Sequence, residues 1–428
     1  MQRYESYAPS GVKWLGDVPA HWEVRPGFTC FKENKDRNKG LVESTVLSLS
    51  YGRIVIKPEE KLTGLVPESF ESYQLIKPGD IVIRTTDLQN DQTSLRVGYA
   101  KDKGMITSAY LGLRCHPEIN PEYVFRLLES YDALKVFYGM GSGLRQNIDF
   151  WDFKRLPVPL PPRDEQDRIV TFLDQKTAEI DAAIVKKERL IEILTEQRQT
   201  LINQAVTAGL DQTVPQHYSG VEWIGDIPSG WGVVPVTKYT KSIVDYRGKT
   251  PEKVASGVFL VTAKNIKKGQ IDYAASTEFV SEKDYPKIMA RGLPEIGDLL
   301  FTTEAPLGEV ALVDRTDVAF AQRIIKLRLD RDRLLPKFVV YAMSARYFQA
   351  LLAREATGST ALGIKASKLH KLKIAAPSLG EQNRIVEYLD EAGAKIQEMQ
   401  SRIQGEIENL RELKTNTVAS CVTGLFKV

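Results

Sequence analysis

The sequence has few of the residues on which disulfide frameworks and metal sites depend. Its 428 residues include 3 cysteines and 4 histidines. Cys30, Cys115 and Cys421 are far apart and odd in number, which excludes a framework of paired disulfides and a Cys-x-x-Cys metal site. The histidines show no metal-ligand spacing. We therefore predict no metal site and interpret the cysteines as structural thiols.

Long apolar runs are also absent. No stretch of about eighteen apolar residues occurs, and the opening MQRYESYAPSG lacks the basic and then apolar pattern of a secretory signal. With 43% hydrophobic and 26% charged residues, the composition is typical of a soluble globular protein. We expect a cytoplasmic protein of two or three domains with no membrane partner.

The motifs of catalysis are missing as well. NPEY at 120–123 resembles the motif with which amino-methyltransferases hold a flipped base, but Asn followed by Pro is also a typical helix start. No Gly-x-Gly loop follows a predicted strand. GKT at 248–250 lacks the glycine that a phosphate-binding loop has five residues earlier, where this chain has Ile243. We predict a helix start and a basic turn at these places, and no catalytic residue.

A duplication is the main feature that the sequence does contain. SGVKWLGDVPAHW at 10–22 returns as SGVEWIGDIPSGW at 219–231, and LPVPLPPRDEQDRIVTFLD at 156–174 returns as LKIAAPSLGEQNRIVEYLD at 372–390. Each copy has a tryptophan motif, then a long segment that differs between the copies, then a Glu-Gln-x-x-Arg-Ile-Val stretch. Such self-similarity indicates two divergent copies of one structural unit.

Each Glu-Gln stretch begins a predicted long helix. Apolar residues recur there at steps of three, four or seven, which is typical of a coiled coil. A helix of about 40 residues measures roughly 60 Å and needs a partner, which the other copy supplies. We predict an antiparallel coiled coil with the packing residues Ile169, Leu173, Ile180, Ile184, Ile191, Leu194, Leu201, Ile385, Leu389, Ile396, Ile403, Ile407 and Leu410.

The segments between the repeated motifs predict two globular α+β domains. Strand-like stretches alternate with Gly-Asp turns, and a helix with Pro at its first position follows in each copy. Residues 235–376 carry 24 Lys+Arg against 15 Asp+Glu, whereas residues 25–160 carry 19 against 17. The basic second segment favours a polyanionic partner such as DNA.

The fold class that follows is α+β, with two globular α/β domains joined by two long antiparallel coiled-coil helices in a pseudo-twofold, cyclic tandem repeat. The predicted parts are an N-terminal segment (1–24), a first domain (25–160), a central helix (161–210), a junction (211–234), a second domain (235–376) and a C-terminal helix (377–428).

This arrangement closely resembles the specificity subunit of type I restriction-modification enzymes. The resemblance spans nearly the whole chain and is most specific at 161–173 and 377–389. It implies a non-catalytic subunit with two target recognition domains, each of which reads one half of a bipartite double-stranded DNA sequence, and with helices that set the spacer between the halves.

The same resemblance implies the partners of the chain. Two methyltransferase subunits and the restriction subunits, which translocate DNA, would assemble with it and would use S-adenosylmethionine, ATP and Mg²⁺. This chain itself is expected to bind no cofactor. A coiled-coil scaffold that binds proteins, without DNA specificity, is the alternative function.

Basic and polar side chains of the two domains are the candidates for DNA contact. Arg, Gln and Asn can make bidentate contacts with bases, and Lys binds phosphates. The RQN stretch at 145–147 becomes ALG at 361–363 in the second copy, which fits two domains that read different bases. The candidates are Lys32, Lys35, Arg37, Lys39, Arg84, Arg145, Gln146, Asn147, Arg247, Lys249, Lys264, Asn265, Lys267, Lys268, Ser359, Lys365 and Lys368.

Polar residues at the start of each long helix have two open interpretations. They could contact the methyltransferase subunits, or they could simply cap the helices. These residues are Glu165, Gln166, Arg168, Glu381, Gln382 and Arg384. The tryptophans of the repeated motif likewise fit packing between domain and helix or contact with a partner.

The duplication also predicts where the ends of the chain lie. The second tryptophan motif follows the first long helix near Leu210, and the first motif opens the chain. If the copies are equivalent, the first motif packs beside the end of the second long helix. We therefore expect the two termini to be close, and a chain joined there and opened near Gln212 to keep the fold.

Overall fold

The computed structural model describes residues 2–58, 60, 69–86, 88, 95–140, 147–248, 250–357 and 362–428. The chain divides into two compact units. Unit 1 comprises residues 1–188 and 404–428, and unit 2 comprises residues 189–403. Each unit therefore holds one of the two predicted globular segments, the first part of one long helix and the last part of the other. The α+β class and the tandem repeat are as predicted.

In its described residues, unit 1 contains short strands, two helices of its own, the first part of a long helix that continues into unit 2, and the last part of the other long helix. The strands are β1 (Tyr7–Pro9), β2 (Asp17–Pro19), β3 (Glu23–Pro26), β4 (Phe31–Glu33), β5 (Leu47–Ser50), β6 (Arg53–Ile56), β7 (Gln74–Ile76), β8 (Ile81–Ile83), β9 (Val97–Tyr99), β10 (Gly104–Ile106), β11 (Leu111–Cys115) and β12 (Pro157–Leu160). The helices are α1 (Pro121–Ala133), α2 (Phe150–Phe153) and α3 (Arg163–Thr207).

An antiparallel sheet in the order β4-β11-β8-β9 forms the centre of unit 1. Helix α1 packs against β9 and β11. Asn120 caps this helix, since its side-chain oxygen accepts hydrogen bonds from the backbone N–H groups of Glu122 and Tyr123. NPEY is thus the helix start that the sequence predicts. The buried residues of the sheet and of α1 form one core with the first turns of α3.

Unit 2 repeats this plan with longer strands and a second small sheet. The strands are β13 (Gln216–Tyr218), β14 (Asp226–Pro228), β15 (Gly232–Pro235), β16 (Thr240–Asp245), β17 (Val258–Val261), β18 (Ile266–Lys267), β19 (Gln270–Ile271), β20 (Phe279–Val280), β21 (Leu299–Thr303), β22 (Leu307–Leu312), β23 (Val318–Phe320), β24 (Ile324–Leu329) and β25 (Lys373–Ala376). The helices are α4 (Tyr285–Ile288), α5 (Pro336–Ser344), α6 (Arg346–Glu355) and α7 (Leu379–Val422).

The central sheet of unit 2 has the order β16-β24-β21-β22, with every neighbour antiparallel, and corresponds to β4-β11-β8-β9. Beside it lies a three-stranded sheet, β20-β17-β23. In both units the strand after the tryptophan motif pairs with the strand before the long helix: β3 with β12, and β15 with β25. The repeated sequences at the two ends of each globular segment therefore meet in space.

Segments of the two long helices run antiparallel within each unit. In unit 1, Lys414 pairs with Asp181 at 2.7 Å, and Lys187 with Glu406 at 2.5 Å. In unit 2, the Gln400 amide donates to the Thr195 hydroxyl at 2.8 Å. As the residue number rises along α3, that of its partner on α7 falls. The predicted antiparallel coiled coil is thus present in each unit.

The predicted packing stripe is buried except for three half-buried positions, Ile191, Leu201 and Leu410. Near the end of α3, Ile202 is buried whereas Leu201 is half-buried. The drift has a physical cause, because a helix with 3.6 residues per turn gradually leaves a strict 3.5-residue repeat. The buried positions are Ile169, Leu173, Ile180, Ile184, Leu194, Ile385, Leu389, Ile396, Ile403 and Ile407.

Candidate nucleic-acid interface

The loops at one end of the central sheet of unit 1 bring most of its predicted DNA-contact residues together. Residue Leu113 of β11 pairs with Glu33, and Leu111 pairs with Ile83. Because these pairings are antiparallel, the chain that leaves β4 and the chain that leaves β8 emerge beside the start of β11. The backbone N–H of Ile148 donates to the Thr85 carbonyl at 3.0 Å, which brings the chain before α2 to the same end.

Unit 2 has the same loop end. Asp245 at the end of β16 pairs with Ile325, and Thr302 near the end of β21 pairs with Ile324. The backbone N–H of Ile364 donates to the Thr303 carbonyl at 3.0 Å, as Ile148 does to Thr85 in unit 1. Strand β17 runs parallel to β23, so its following residues also emerge there. We call these two surfaces the loop ends of units 1 and 2.

A buried carboxylate directly precedes β8 in unit 1 and β21 in unit 2, at the opposite end of these strands from the loop ends. Asp80 and Asp298 follow the glycines of the two Gly-Asp turns, and both are 2% exposed. Arg114 binds Asp80 with two hydrogen bonds at 2.7 and 2.8 Å. Lys326, which is 1% exposed, binds Asp298 at 2.8 Å. The Gly-Asp turns that the sequence singles out therefore anchor neighbouring strands through paired charges.

Arg114 also reaches the predicted contact loop of unit 1. It donates to Asp36 at 2.7 Å, and this hydrogen bond lowers the pKa of Asp36 although partial burial opposes the shift. Around this fixed carboxylate the side chains of Lys35, Arg37 and Lys39 are exposed, as is Lys32 on β4. Because the contact with Arg114 already orders this loop, less conformational entropy is lost when its exposed cations bind a ligand.

Two other candidates of unit 1 lie at the same loop end. Arg84 directly follows β8 and is half-buried, and its backbone N–H donates to the Arg96 carbonyl at 2.9 Å. Asn147 is exposed and directly precedes the Ile148 contact with Thr85. Arg145 and Gln146 lie outside the described residues.

In unit 2, the loop end contains a cleft of about 650 Å³ that the sequence did not reveal. The predicted candidate Arg247 lines it and forms an ion pair with Asp245. Sequence reasoning missed Arg291, which also lines the cleft and donates to the Arg247 carbonyl at 2.6 Å. It also missed Gln322. These residues are far apart in sequence and carry no local signal, so only the fold brings them together.

Lys264 lines an adjoining cleft of about 180 Å³ and is exposed. Its neighbour Asn265 is a correction to the sequence prediction. The Asn265 side chain is fully buried, accepts from Thr262 and donates to the carbonyls of Asp272 and Ser276. Its side-chain polar atoms tie the turn between β17 and β18 to the segment after β19, so none of them is left for a DNA contact.

The other candidates of unit 2 are more dispersed. Lys267 and Lys268 are exposed, but their turn lies against β22, since the Lys268 N–H donates to Glu309 at 3.0 Å. Lys365 is exposed near the loop end. Lys368 is half-buried and donates to the Glu355 carbonyl at 2.7 Å. Lys249 and Ser359 lie outside the described residues.

The glutamines of the repeated Glu-Gln stretch tie each globular part to its long helix. The Gln166 oxygen accepts from the Asn120 N–H at 2.9 Å, and its amide donates to the Pro161 carbonyl. In unit 2, Gln382 accepts from the Leu335 N–H at 2.8 Å and donates to the Pro377 carbonyl. In each unit, the glutamine oxygen thus accepts a hydrogen bond from the residue that directly precedes a helix: Asn120 before α1 in unit 1, and Leu335 before α5 in unit 2.

The glutamates beside them hold the tryptophan motif. Glu165 accepts hydrogen bonds from Tyr4 at 2.7 Å and His21 at 2.8 Å, and Glu381 accepts from the Trp231 indole at 2.9 Å. Burial raises the pKa of Glu165, but the hydrogen bonds outweigh it, so the pKa lies below its usual value.

These contacts favour a role within the chain, rather than contact with a partner subunit, for the Glu and Gln residues of the two stretches. Glu165, Gln166 and Gln382 are buried, and their polar atoms bind within the chain. Glu381 is half-buried and also has an internal partner. Arg168 and Arg384 are exposed. Of the six candidates, the two arginines have the exposed side chains that contact with a partner requires.

Other kinds of site find no support in the described parts of the chain. No group of three or more His, Cys, Asp or Glu residues there could hold a metal ion. Among the same residues, no helix is long and apolar enough to cross a membrane.

The sequence matches a family model described as type I restriction modification DNA specificity domain, at residues 27–193 and 252–409. Curated relatives include two specificity subunits from Methanocaldococcus jannaschii. The putative type I restriction enzyme MjaX specificity subunit is 24% identical and covers 97% of this chain and 96% of its own length. The MjaVIII specificity subunit is also 24% identical, over 76% of this chain and 75% of its own length.

Two solved structures share the fold over nearly the whole chain. One was described in a study of complex assembly and conformational transition of the type I R-M system. It has a TM-score of 0.67 at 17% identity and covers 95% of this chain and 98% of that one. The other is an HsdS subunit from Thermoanaerobacter tengcongensis, with a TM-score of 0.52 at 16% identity, 96% of this chain and 98% of that one.

Proposed function

The chain belongs to the type I restriction-modification DNA specificity family, and we propose that its two loop ends each read one half of a bipartite double-stranded DNA target. The observation that carries this proposal is the pair of loop ends, which have the same strand framework and different side chains. A common framework positions both on the same kind of ligand, while different side chains select different bases.

Exposed cations at the two loop ends support contact with phosphates. Lys35, Arg37 and Lys39 surround the anchored Asp36 in unit 1, and Arg247 and Lys264 line the clefts of unit 2. Arg84, Asn147 and Lys365 also fit this role. Neutralised phosphates release counterions, so the affinity for DNA should fall steeply with salt.

The long helices are proposed to set the distance between the two half-sites and to dock two methyltransferase subunits. Arg168 and Arg384 are exposed at the starts of α3 and α7 and are the proposed contacts. Members of this family are non-catalytic, and we propose that methyl transfer and DNA cleavage belong to partner methyltransferase and restriction subunits. Those partners would use S-adenosylmethionine, ATP and Mg²⁺, and the complex would act in the cytoplasm.

Methylated adenines, mapped genome-wide in cells that express this chain with its methyltransferase and in cells without the chain, test the proposal. The expected result is a split motif, with two short specified parts and an unspecified spacer, that depends on the chain. A continuous motif would contradict the role of the helices in setting the spacer.

Binding of the purified complex to random and to target DNA over a salt series tests the electrostatic part. The logarithm of the binding constant should fall by roughly 0.9 for each phosphate contact per tenfold increase in salt. A flat response would reject DNA binding and leave a protein-binding scaffold as the function.

A further inference from the structure

Gln322 occupies a central place at the loop end of unit 2. It lies between β23 and β24, and it lines both the 650 Å³ cleft and the adjoining 180 Å³ cleft. Thr250 and Pro251 line both clefts as well. The Gln322 side chain is half-buried, so part of it remains open to a ligand.

A hydrogen bond links the Gln322 amide to Thr250. Its Nε2 donates to the Thr250 hydroxyl at 3.0 Å. A glutamine amide has two N–H donors and one carbonyl acceptor. Since Thr250 uses one donor, one N–H and the carbonyl oxygen remain for a ligand. A side chain that is already held loses less conformational freedom on binding.

One donor beside one acceptor fits a particular base edge. In the major groove, adenine presents its N7 as an acceptor and its N6 amino group as a donor, and glutamine pairs with both at once. Guanine presents two acceptors there and thymine presents an acceptor and a methyl group. The amide that Thr250 leaves open therefore matches adenine. Arg247 and Lys264, which line the same clefts, can contact the backbone of such a duplex.

The corresponding position in unit 1 lacks an amide. Gln322 lies three residues before Ile325, which pairs with Phe301. The equivalent pair in unit 1 is Leu111 with Ile83, and the residue three positions before Leu111 is Ser108, which is exposed. The strand frameworks match, but the side chain at this place differs. A side chain that contacts a base from this place in unit 2 would therefore affect one half-site alone.

We infer that Gln322, held by Thr250, reads an adenine in the half of the DNA target that unit 2 binds. This inference rests on the proposed function and specifies it, because it names the base, the contacting atoms and the half-site.

The test replaces adenines in the target one at a time with 7-deazaadenine, which lacks the N7 acceptor. The methylated motif of the wild-type complex first defines the target, and binding of the purified complex to each modified duplex is then measured. We expect one adenine, in one half-site, at which the replacement weakens binding about fivefold or more. If binding is insensitive to the replacement at every adenine, the inference is overturned. It is also overturned if the Gln322→Ala complex shows the same sensitivity as the wild type at every adenine.

Variants identify the side chain responsible. The complex with Gln322→Ala should bind the normal and modified duplexes equally at that position. Thr250→Val, which keeps the shape and loses the hydroxyl, should reduce the difference, and Thr250→Ser should keep it. Gln216→Ala, an exposed glutamine on β13, is the matched control and should retain the wild-type response.

The outcomes separate the inference from the function on which it rests. A complex with no sequence preference and no chain-dependent methylation refutes the proposed function itself. A complex that recognises a split target but is insensitive to 7-deazaadenine refutes only the role of Gln322. Because the scan uses wild-type protein, a variant that fails to fold does not prevent a decision.

Discussion

Lys427 donates its backbone N–H to the carbonyl oxygen of Gln2 at 2.8 Å, so the first described residue of unit 1 lies beside the last but one. The contacts around them match those at the end of the first long helix. A Cβ on Gly424 would have Pro19 and Trp22 as neighbours, at 2.2 and 3.2 Å, and a Cβ on Gly209 would have the equivalent Pro228 and Trp231, at 3.5 and 3.3 Å. The cyclic relation that the duplication predicts is therefore present.

A circular permutant tests this relation. We expect that a short linker from Val428 to Gln2, with new ends opened near Gln212, keeps the fold, because Gln212 is exposed and lies between α3 and β13. Circular dichroism and the thermal midpoint should stay close to those of the parent. A second permutant, opened at Asp181 inside α3, should unfold at a clearly lower temperature. Equal stability of both permutants would contradict the structural argument.

The buried glutamines should be structural in function. Gln166→Ala and Gln382→Ala leave the Asn120 and Leu335 N–H groups without their partners, and a buried unpaired group costs about 1–3 kcal/mol. We expect a loss of that size in the free energy of unfolding, measured by urea denaturation. Arg168→Ala, next to Gln166 on the exposed side, serves as the control and should change stability by less than about 0.5 kcal/mol.

Asp298 should be essential for the stability of unit 2. Asp298→Asn leaves the Lys326 ammonium, which is 1% exposed, without a counter-charge. Removal of one partner from a buried ion pair costs about 3–5 kcal/mol. Urea denaturation should therefore show a large loss. Asp317→Asn removes an exposed ion pair with Arg315 and should have little effect.

The same carboxylate predicts a pH dependence. Burial raises the pKa of Asp298, but hydrogen bonds from Arg328 and Lys326 outweigh burial and the pKa is lowered. The stabilisation is thus complete above the ordinary aspartate pKa of about 3.9 and is lost as the pH falls through the lower folded value. The difference in urea midpoint between wild type and Asp298→Asn should be constant from neutral pH to about pH 5 and shrink below about pH 4. A difference that grows in acid would contradict this assignment.

The exposed cations of unit 1 should act on DNA without regard to its sequence. We expect Lys35→Ala, Arg37→Ala and Lys39→Ala to weaken binding to random and target DNA alike, and each lost phosphate contact should reduce the salt slope by about 1. Lys186→Ala, on the exposed face of α3, is the control cation. A change confined to one base position of the target would instead assign the residue to base recognition.

The repeated motifs allowed much of the fold to be predicted. The spacing of apolar residues predicted that Ile169 and Ile385 are buried, because a helical repeat records which face of the helix is covered. The Asn-Pro pair predicted the start of α1, since capping is decided within a few residues. The Gly-Asp turns were located, but the cations that bind Asp80 and Asp298 were not, because they come from another strand.

The interface was predicted less well, and its errors share one cause. Asn265 and Gln166 have side chains of a type that often binds ligands, yet the amide groups of both form hydrogen bonds within the chain. Gln322 and Arg291 carry no motif, yet both line the cleft of unit 2. Residue type shows which hydrogen bonds a side chain can form. Whether its partner is the chain itself or an outside ligand depends on distant segments.

The sequence by itself determined the duplication, the two long helices, the repeated motifs at the two ends of each globular segment, and the family. All of these are local sequence patterns or repeats of such patterns. The tertiary structure alone decided which loops share an end of each sheet, that the Glu-Gln stretch ties helix to domain, and that Gln322 meets Thr250. Those relationships depend on contacts and strand pairing between residues far apart in the chain. Such contacts produce no repeating pattern in the local sequence from which they could be predicted.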